Sequence, residues 1–412
     1  MRLKIAPFRR LNGRIKLSAS KSISNRMLVI NELSGGSVRL HNVSDCDDTA
    51  VMLRALSERG PVTDIMAAGT AMRFLTALFA ATESETVLTG TERMRHRPIH
   101  VLVDALRQLG ANIIYVGEEG FPPLRITGHS LKGGSVSLPG NVSSQYVSAL
   151  LMVAPLFEEG LEMSLTGEVL SRPYIDMTVS LMRRFGAEVE CGDKNGELCF
   201  KVSRGRYCGG DFTVENDWSA ASYYYELLAL AEEGEVELEG LFEDSLQGDS
   251  CIRGLFEPLG VATSFEGGRA VLKKAPRTIE RYERDLGHCP DLAQTMVATC
   301  CAMGVPFCFS GLQSLRIKET DRLAALRTEL LKMGYVIEER EGSVLEWNGK
   351  RVEAQPAVSV DTYEDHRMAM SMAPCACVCG GLTVNDAGVV GKSYPRYWDD
   401  IRKLGVEAEE VR

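Results

Sequence analysis

The run Arg316-Ile317-Lys318-Glu319-Thr320-Asp321-Arg322 sets three cations and two carboxylates within seven residues, where a helical pattern begins. Cations at that density bind phosphate or carboxylate, and carboxylates among them can move protons. A lone charge run is usually a solvated helix start whose charges only neutralise one another. Here the theme recurs in Lys21-Ser22-Ile23-Ser24-Asn25-Arg26, in the stretch from Arg93 to Arg97, in Asp365-His366-Arg367 and at Lys392. Each falls where a loop should give way to a helix. A helix start adds unpaired N–H groups and the positive end of the helix dipole, so these junctions suit an anion. Together they point to a polyanionic substrate.

The rest of the chain narrows the class. A formal charge of -10 over 412 residues argues against a nucleic-acid or anionic-membrane surface, which would carry a basic face. Hydrophobic residues at 45% and charged residues at 25% are ordinary for a globular protein of two or three domains. Residues 1–7 lack the apolar core of a signal peptide and no stretch reaches ~18 uninterrupted apolar residues, so a cytoplasmic protein is expected. The twelve cysteines are scattered, often within apolar runs, as thiols of a reducing compartment would be. Cys375, Cys377 and Cys379 lack a nearby histidine or a second cysteine pair, and no metal is expected there. The chain has no G-x-x-x-x-G-K-[ST] loop, which disfavours a phosphotransferase.

What must position these residues is a repeat. Segments starting near Ser22, Thr70, Ser143, Asp217, Pro290 and Asp365 each place a small polar or acidic residue before a run rich in Ala, Met and Leu. From Thr70 onward the steps are 73, 74, 73 and 75 residues, and the first is only 48. Ser, Thr or Asp at such a start reads as a helix N-cap. The runs from Ser22, Thr70 and Ser143 are apolar nearly throughout, which predicts buried helices. Strand-like pieces lie between them at 85–88, 135–138, 235–238 and 382–384, and second helices at 99–109, 174–185 and 320–333, each closed by a glycine. The repeat therefore reads strand, helix, strand, helix, strands, and six copies divide into two domains of three.

At these residues the chain resembles the enolpyruvyl transferase family. The blocks that carry the resemblance are Ser20-Lys21-Ser22-Ile23-Ser24-Asn25-Arg26, Ala68-Gly69-Thr70-Ala71-Met72-Arg73, Leu88-Thr89-Gly90 with Arg93 to Pro98, Gly140 to Gln145, and Ser171 to Asp176. Pro290-Asp291, Lys318 to Arg322, Asp365 to Ala369 and Lys392-Ser393-Tyr394-Pro395 complete them in family order. The resemblance implies an α/β, two-domain fold of six βαβαββ units, three per domain, with buried parallel helices and an active site in the interdomain cleft. It places one domain at residues 20–215 and the other, discontinuous, at 1–19 and 216–412. The implied reaction moves the enolpyruvyl group of phosphoenolpyruvate to the 5-hydroxyl of shikimate 3-phosphate and releases phosphate, with neither metal nor cofactor. A cytoplasmic monomer acting on these two small molecules, with no nucleic-acid or membrane partner, is expected.

Family roles carry onto matching positions. Lys21, Gly69, Arg97, Gln145, Arg322, Arg367 and Lys392 would surround phosphoenolpyruvate. Lys21, Ser22, Arg26, Ser143, Ser144, Gln145, Ser171, Asp291 and Lys318 would hold shikimate 3-phosphate. Asp291 is the expected base on the 5-hydroxyl, and Glu319 and Lys21 are both candidates for protonating the methylene. His366 is read equally well as a helix-start residue and as a participant. Asp291 alone would read as an N-cap, and Tyr223-Tyr224-Tyr225 as core.

Three departures stand out. Ala67 and Ser314 occupy positions where the family commonly has Asn, and the 48-residue first step predicts a trimmed sheet edge between Asp48 and Ile65. Gly69 leaves room for glyphosate, which competes for the phosphoenolpyruvate position in this family, so a sensitive enzyme is expected; Phe74, where proline is common, alters the helix that carries Gly69. The alternatives are a transferase acting on UDP-N-acetylglucosamine, which uses a cysteine that residues 91–95 lack, and a phosphometabolite-binding protein without catalysis, which would not need both Asp291 and Glu319.

Overall fold

A computed structural model describes residues 1–411. Val62–Asp64, Ser84–Thr89, Leu124–Gly128 and Asn112–Tyr115 lie side by side in that order, the first pair parallel and the others antiparallel. Connection length explains the order, since parallel neighbours need a helical crossover whereas a hairpin needs only a turn. The same arrangement recurs in Gly134–Pro139, Leu161–Thr166, Glu197–Val202 and Val189–Lys194. It recurs again in Tyr282–Asp285, Phe307–Ser310, Val344–Trp347 and Glu338–Arg340.

Two sheets borrow strands from the N-terminus. Arg10–Lys16 runs parallel to Glu233–Glu239, with Ile15 opposite Leu238. Leu3–Ile5 inserts between Leu382–Val384 and Ala408–Glu410, antiparallel to both. These pairings tie residues 1–19 to residues 215–411 in one compact unit, and Ser20–Val214 forms the second. In that second unit Gly210–Thr213 pairs with Val38–His41 and the sheet ends at two strands. The short first step thus lacks its hairpin, and helix Asp47–Ser57 leads directly to the next sheet at Val62–Asp64.

Each unit has three helices buried along most of their length. In the second unit they are Lys21–Leu33, Gly69–Ala81 and Ser144–Val153; all thirteen residues of Gly69–Ala81 are buried. In the other they are Trp218–Leu230, Ala293–Ala302 and His366–Met372. Burying a Leu, Phe or Met side chain contributes about 1.5–3 kcal/mol, which is why such runs pack inside rather than lie on a surface. Tyr223, Tyr224 and Tyr225 are core residues. Four starts are capped by side-chain oxygens, those of Ser20, Ser143, Asp217 and Asp365. The other two starts have no side-chain cap, against the capping expected of Thr70 and the cap reading of Asp291. Gly69 follows Ala68, which has no oxygen to offer, and Pro290 opens a 3-10 turn, Pro290–Leu292, that runs into Ala293–Ala302. Proline is suited to that place because the N–H it lacks would have had no helical partner.

The second helices are His100–Gln108, Arg172–Arg184 and Arg322–Lys332. Gly186 at φ +89° and Gly334 at φ +90° turn the chain out of the last two, a conformation costly for any residue with a Cβ. Among the described residues no helix is long and apolar enough to cross a membrane.

Candidate active site

In the unit that contains the C-terminal half, three helix starts bring charges together. Arg322, the first residue of Arg322–Lys332, is fully buried and meets three carboxylates. Its Nε donates to Asp365 Oδ2 at 2.7 Å and its Nη2 to Asp365 Oδ1 at 3.3 Å and Glu319 Oε2 at 3.1 Å. Its Nη1 reaches Asp291 Oδ1 at 3.3 Å. Arg367 Nη2 donates to Asp291 Oδ2 at 2.8 Å, Lys318 Nζ stands 3.9 Å from Asp291 Oδ1, and Lys392 Nζ is 3.1 Å from Glu319 Oε1. The six charged residues expected here, Asp291, Lys318, Glu319, Arg322, Arg367 and Lys392, thus form one network, in which Asp291 faces cations rather than capping a helix.

Electrostatics follow from that crowding. Burial opposes ionisation of Asp291, but Arg367, Lys318 and Arg322 outweigh it, and against the repulsion of Glu319 they hold its carboxyl well below the usual range. Burial likewise disfavours the charge on Arg322, yet Asp365, Glu319 and Asp291 keep its guanidinium more firmly protonated than an ordinary arginine. Asp365 is essential to this balance and was not expected in the site. It also caps its own helix by accepting from the Arg367 N–H at 2.9 Å. His366 is buried with Nδ1 3.8 Å from Asp365 Oδ1. Ser314 keeps its hydroxyl buried, with no hydrogen-bond partner among the described residues.

In the unit of residues 20–214, Lys21 opens its helix and Nζ donates to Asp48 Oδ2 at 3.0 Å, a second carboxylate that sequence reading missed. Gly69 opens the next helix beside Arg97 and Arg73; the Arg73 guanidinium donates to Gly69 O at 3.1 Å and to Pro98 O at 3.3 Å. Gln145 Nε2 donates to Thr70 Oγ1 at 3.0 Å, which joins two helix starts. Ser143 Oγ accepts from the Gln145 N–H at 3.3 Å, and Ser144 begins that helix, buried. Ser171 precedes Arg172–Arg184 with φ +53°, a left-handed conformation unusual for serine, and its side chain makes no cap bond. Strain of that kind concentrates at ligand sites. Ala67 is exposed just ahead of the Gly69 helix.

Arg26 differs from a free ligand-binding arginine. Nε donates to Thr178 Oγ1 at 2.7 Å, Nη1 to Ser22 O at 2.9 Å, and Nη2 to Ser148 Oγ at 3.2 Å and Tyr174 O at 3.1 Å. Its guanidinium also lies 5.4 Å from the centre of the Phe74 ring. Burial lowers its pKa to about 10. Four of its five N–H donors therefore serve the protein, and Arg26 braces the helices that present Ser22 and its neighbours.

Sheet-and-helix units in two sets of three, with arginines and lysines gathered round paired carboxylates at helix starts, define an enolpyruvyl transferase. The profile described as EPSP synthase (3-phosphoshikimate 1-carboxyvinyltransferase) matches residues 5–63 and 56–401, and the chain belongs to that family. A 3-phosphoshikimate 1-carboxyvinyltransferase of Bacteroides fragilis is 52% identical over 406 residues, covering 98% of each chain. One from Vibrio atlanticus is 36% identical over 430 residues, covering 98% of this chain and 99% of that one. The solved EPSP synthase of Acinetobacter baumannii superimposes with a TM-score of 0.74 at 21% identity over the whole of both chains, a likeness of fold.

Proposed function

We propose that the chain transfers the enolpyruvyl group of phosphoenolpyruvate to the 5-hydroxyl of shikimate 3-phosphate, releasing phosphate. The observation that carries this reading is the linked pair of carboxylates, Asp291 and Glu319, bridged by Arg322 and flanked by Lys318, Arg367 and Lys392. The reaction needs a base on the hydroxyl, an acid at the methylene and cations for two phosphates and two carboxylates. Asp291 serves as the base and Lys318 helps hold shikimate 3-phosphate. Glu319 or Lys21 protonates the methylene so that C2 becomes electrophilic; the proton movement reverses as phosphate leaves the tetrahedral intermediate. Arg322, Arg367 and Lys392 bind phosphoenolpyruvate with Lys21, Arg97 and Gln145, next to Gly69. Ser22, Ser143, Ser144 and Ser171 supply hydroxyls to shikimate 3-phosphate, with Arg26 holding the helix that carries Ser22.

The low proton affinity of Asp291 supports this division of labour. Without substrate its counter-ions are the cations that phosphoenolpyruvate would claim. An arriving anion shares Arg322 and Arg367, weakens their hold on Asp291 and raises its basicity when a base is needed. Residues 1–19 with 216–412 and residues 20–215 act as the two domains, and both clusters serve the same substrates in a cytoplasmic monomer that works on neither nucleic acid nor membrane.

The test is phosphate release by the purified chain from phosphoenolpyruvate with shikimate 3-phosphate, with UDP-N-acetylglucosamine, and with neither. Release with shikimate 3-phosphate alone, abolished by Asp291→Asn, is expected. A folded protein that binds phosphoenolpyruvate and releases phosphate with neither acceptor would overturn the reading.

A further inference from the structure

Tyr146 follows Gln145 on the helix Ser144–Val153, and its side chain is buried. Its hydroxyl donates to the main-chain oxygen of Pro98 at 2.5 Å. The same oxygen accepts from Arg73 Nη2 at 3.3 Å, so both of its lone pairs are engaged. Arg73, buried on Gly69–Ala81, also reaches Gly69 O through Nη1 at 3.1 Å. Its guanidinium lies 5.9 Å from the centre of the Tyr146 ring, within reach of a cation–π attraction. Two helices thus meet on one carbonyl. The residue before that proline is Arg97, whose N–H donates to Met94 O at 3.1 Å.

We propose that Tyr146 is a positioning residue for phosphoenolpyruvate: with Arg73 it holds the Pro98 carbonyl and thereby sets where the Arg97 guanidinium stands beside Gly69. The effect on activity rests on the part given to Arg97 above.

Two constraints make the hold effective. Pro98 has a fixed φ and biases the residue before it toward extended backbone, so a pinned Pro98 carbonyl leaves Arg97 little freedom. A Cβ on Gly69 would stand 2.7 Å from Arg97 Nη1 and 3.1 Å from Arg73 Nη1, so two like charges share the space beside that helix start. Their repulsion drives the Arg97 side chain away unless its backbone is held. An anion entering that space relieves the repulsion, and donors already in place need no reordering when it arrives. Without the phenol bond, residues 94–98 relax away from Arg73, and the anion must draw Arg97 back, which weakens binding.

Tyr146→Phe removes only the hydroxyl and leaves Arg73 on the carbonyl, so no polar group is orphaned. Tyr207→Phe is the control, because the Tyr207 hydroxyl also donates to a main-chain oxygen, that of Met152 at 2.8 Å, near the other end of the Tyr146 helix. Both variants and the wild type are read by steady-state phosphate release with each substrate varied in turn, and by hydrogen exchange of residues 94–99. For Tyr146→Phe the loss of one hydrogen bond should raise KM for phosphoenolpyruvate about three- to tenfold, with kcat and KM for shikimate 3-phosphate unchanged and exchange in the segment faster. Tyr207→Phe should change none of these. In an Arg97→Lys background Tyr146→Phe should add little, because the fork it positions is gone. An unchanged KM for phosphoenolpyruvate, an equal rise for both substrates, unchanged exchange, or the same shifts in Tyr207→Phe overturns the proposal. Failure of the wild type to release phosphate strikes the proposed function instead, while exchange of residues 94–99 with and without phosphoenolpyruvate still decides whether Tyr146 fixes the segment.

Discussion

Arg367 holds Asp291 at two points: Nη2 donates to the carboxylate at 2.8 Å and Nη1 to the main-chain carbonyl of the same residue at 3.2 Å. One planar fork thus sets the orientation of the side chain proposed above as the base.

Lysine in place of Arg367 would keep the charge but could not span both acceptors. Arg367→Lys is therefore expected to lower kcat/KM for phosphoenolpyruvate by about 10²-fold, with kcat reduced as well as KM raised. Steady-state kinetics check this. A rise in KM with kcat untouched would show that Arg367 only binds.

Asp291 also sets the acid limb of stability. Its carboxyl titrates below the ~3.9 of an unfolded aspartate, so as pH falls through that region the unfolded chain takes up the proton first. The stabilisation is complete above about pH 5 and is lost as pH falls toward the folded-state value. Asp291→Asn removes the Asp291 carboxylate from Arg322 and Arg367 at every pH, although Arg322 keeps Asp365 and Glu319. The Tm of the wild type should exceed that of the variant most at neutral pH, and the gap should narrow toward pH 3. Thermal unfolding of the ligand-free proteins at stepped pH decides it, and a constant gap would count against the ion pairs.

Glu226 behaves in the opposite sense. It lies in the middle of Trp218–Leu230, wholly buried, and burial pushes its carboxyl well above the usual range, offset only in part by the Thr299 hydroxyl. Its folded-state pKa exceeds the unfolded ~4.3, so its contribution is intact below that pH and erodes as pH rises, because unfolding lets the carboxyl ionise. Glu226→Gln keeps the shape and removes the titration. Relative to the wild type, its Tm should climb between pH 5 and pH 8; a difference independent of pH would refute a neutral buried carboxyl.

The contrast between such residues shows what sequence can disclose. Ser143 and Asp365 were legible as helix starts because a cap is a local bond, settled within two or three positions. The second task of Asp365 was not, since Arg322 lies 43 residues away and meets it only after two helices pack. Asp48, 27 residues from Lys21, was hidden for the same reason. The family resemblance assigns Arg26 to shikimate 3-phosphate; only the packing of Thr178, Ser148 and Tyr174 around it shows how most of its donors are spent. The shortened first step announced a missing strand pair between Asp48 and Ile65, and the two-stranded sheet of Val38–His41 with Gly210–Thr213 agrees with it.

Gly69 gives a direct test of the phosphoenolpyruvate side. A Cβ there would stand 2.7 Å from Arg97 Nη1 and 3.1 Å from Arg97 Cζ and Arg73 Nη1. These are the far ends of long side chains, so the helix can accept alanine if the guanidinium of Arg97 swings aside. Gly69→Ala should change stability by less than about 1 kcal/mol. With Arg97 displaced, KM for phosphoenolpyruvate should rise about tenfold, the loss of roughly one charge-assisted hydrogen bond. The family resemblance implies that glyphosate competes for the same position and fits the space beside Gly69, so inhibition should weaken more than substrate binding does. Paired inhibition curves for wild type and variant at matched substrate saturation measure the difference. Equal sensitivity would mean that the space beside Gly69 does not set the fit of the inhibitor.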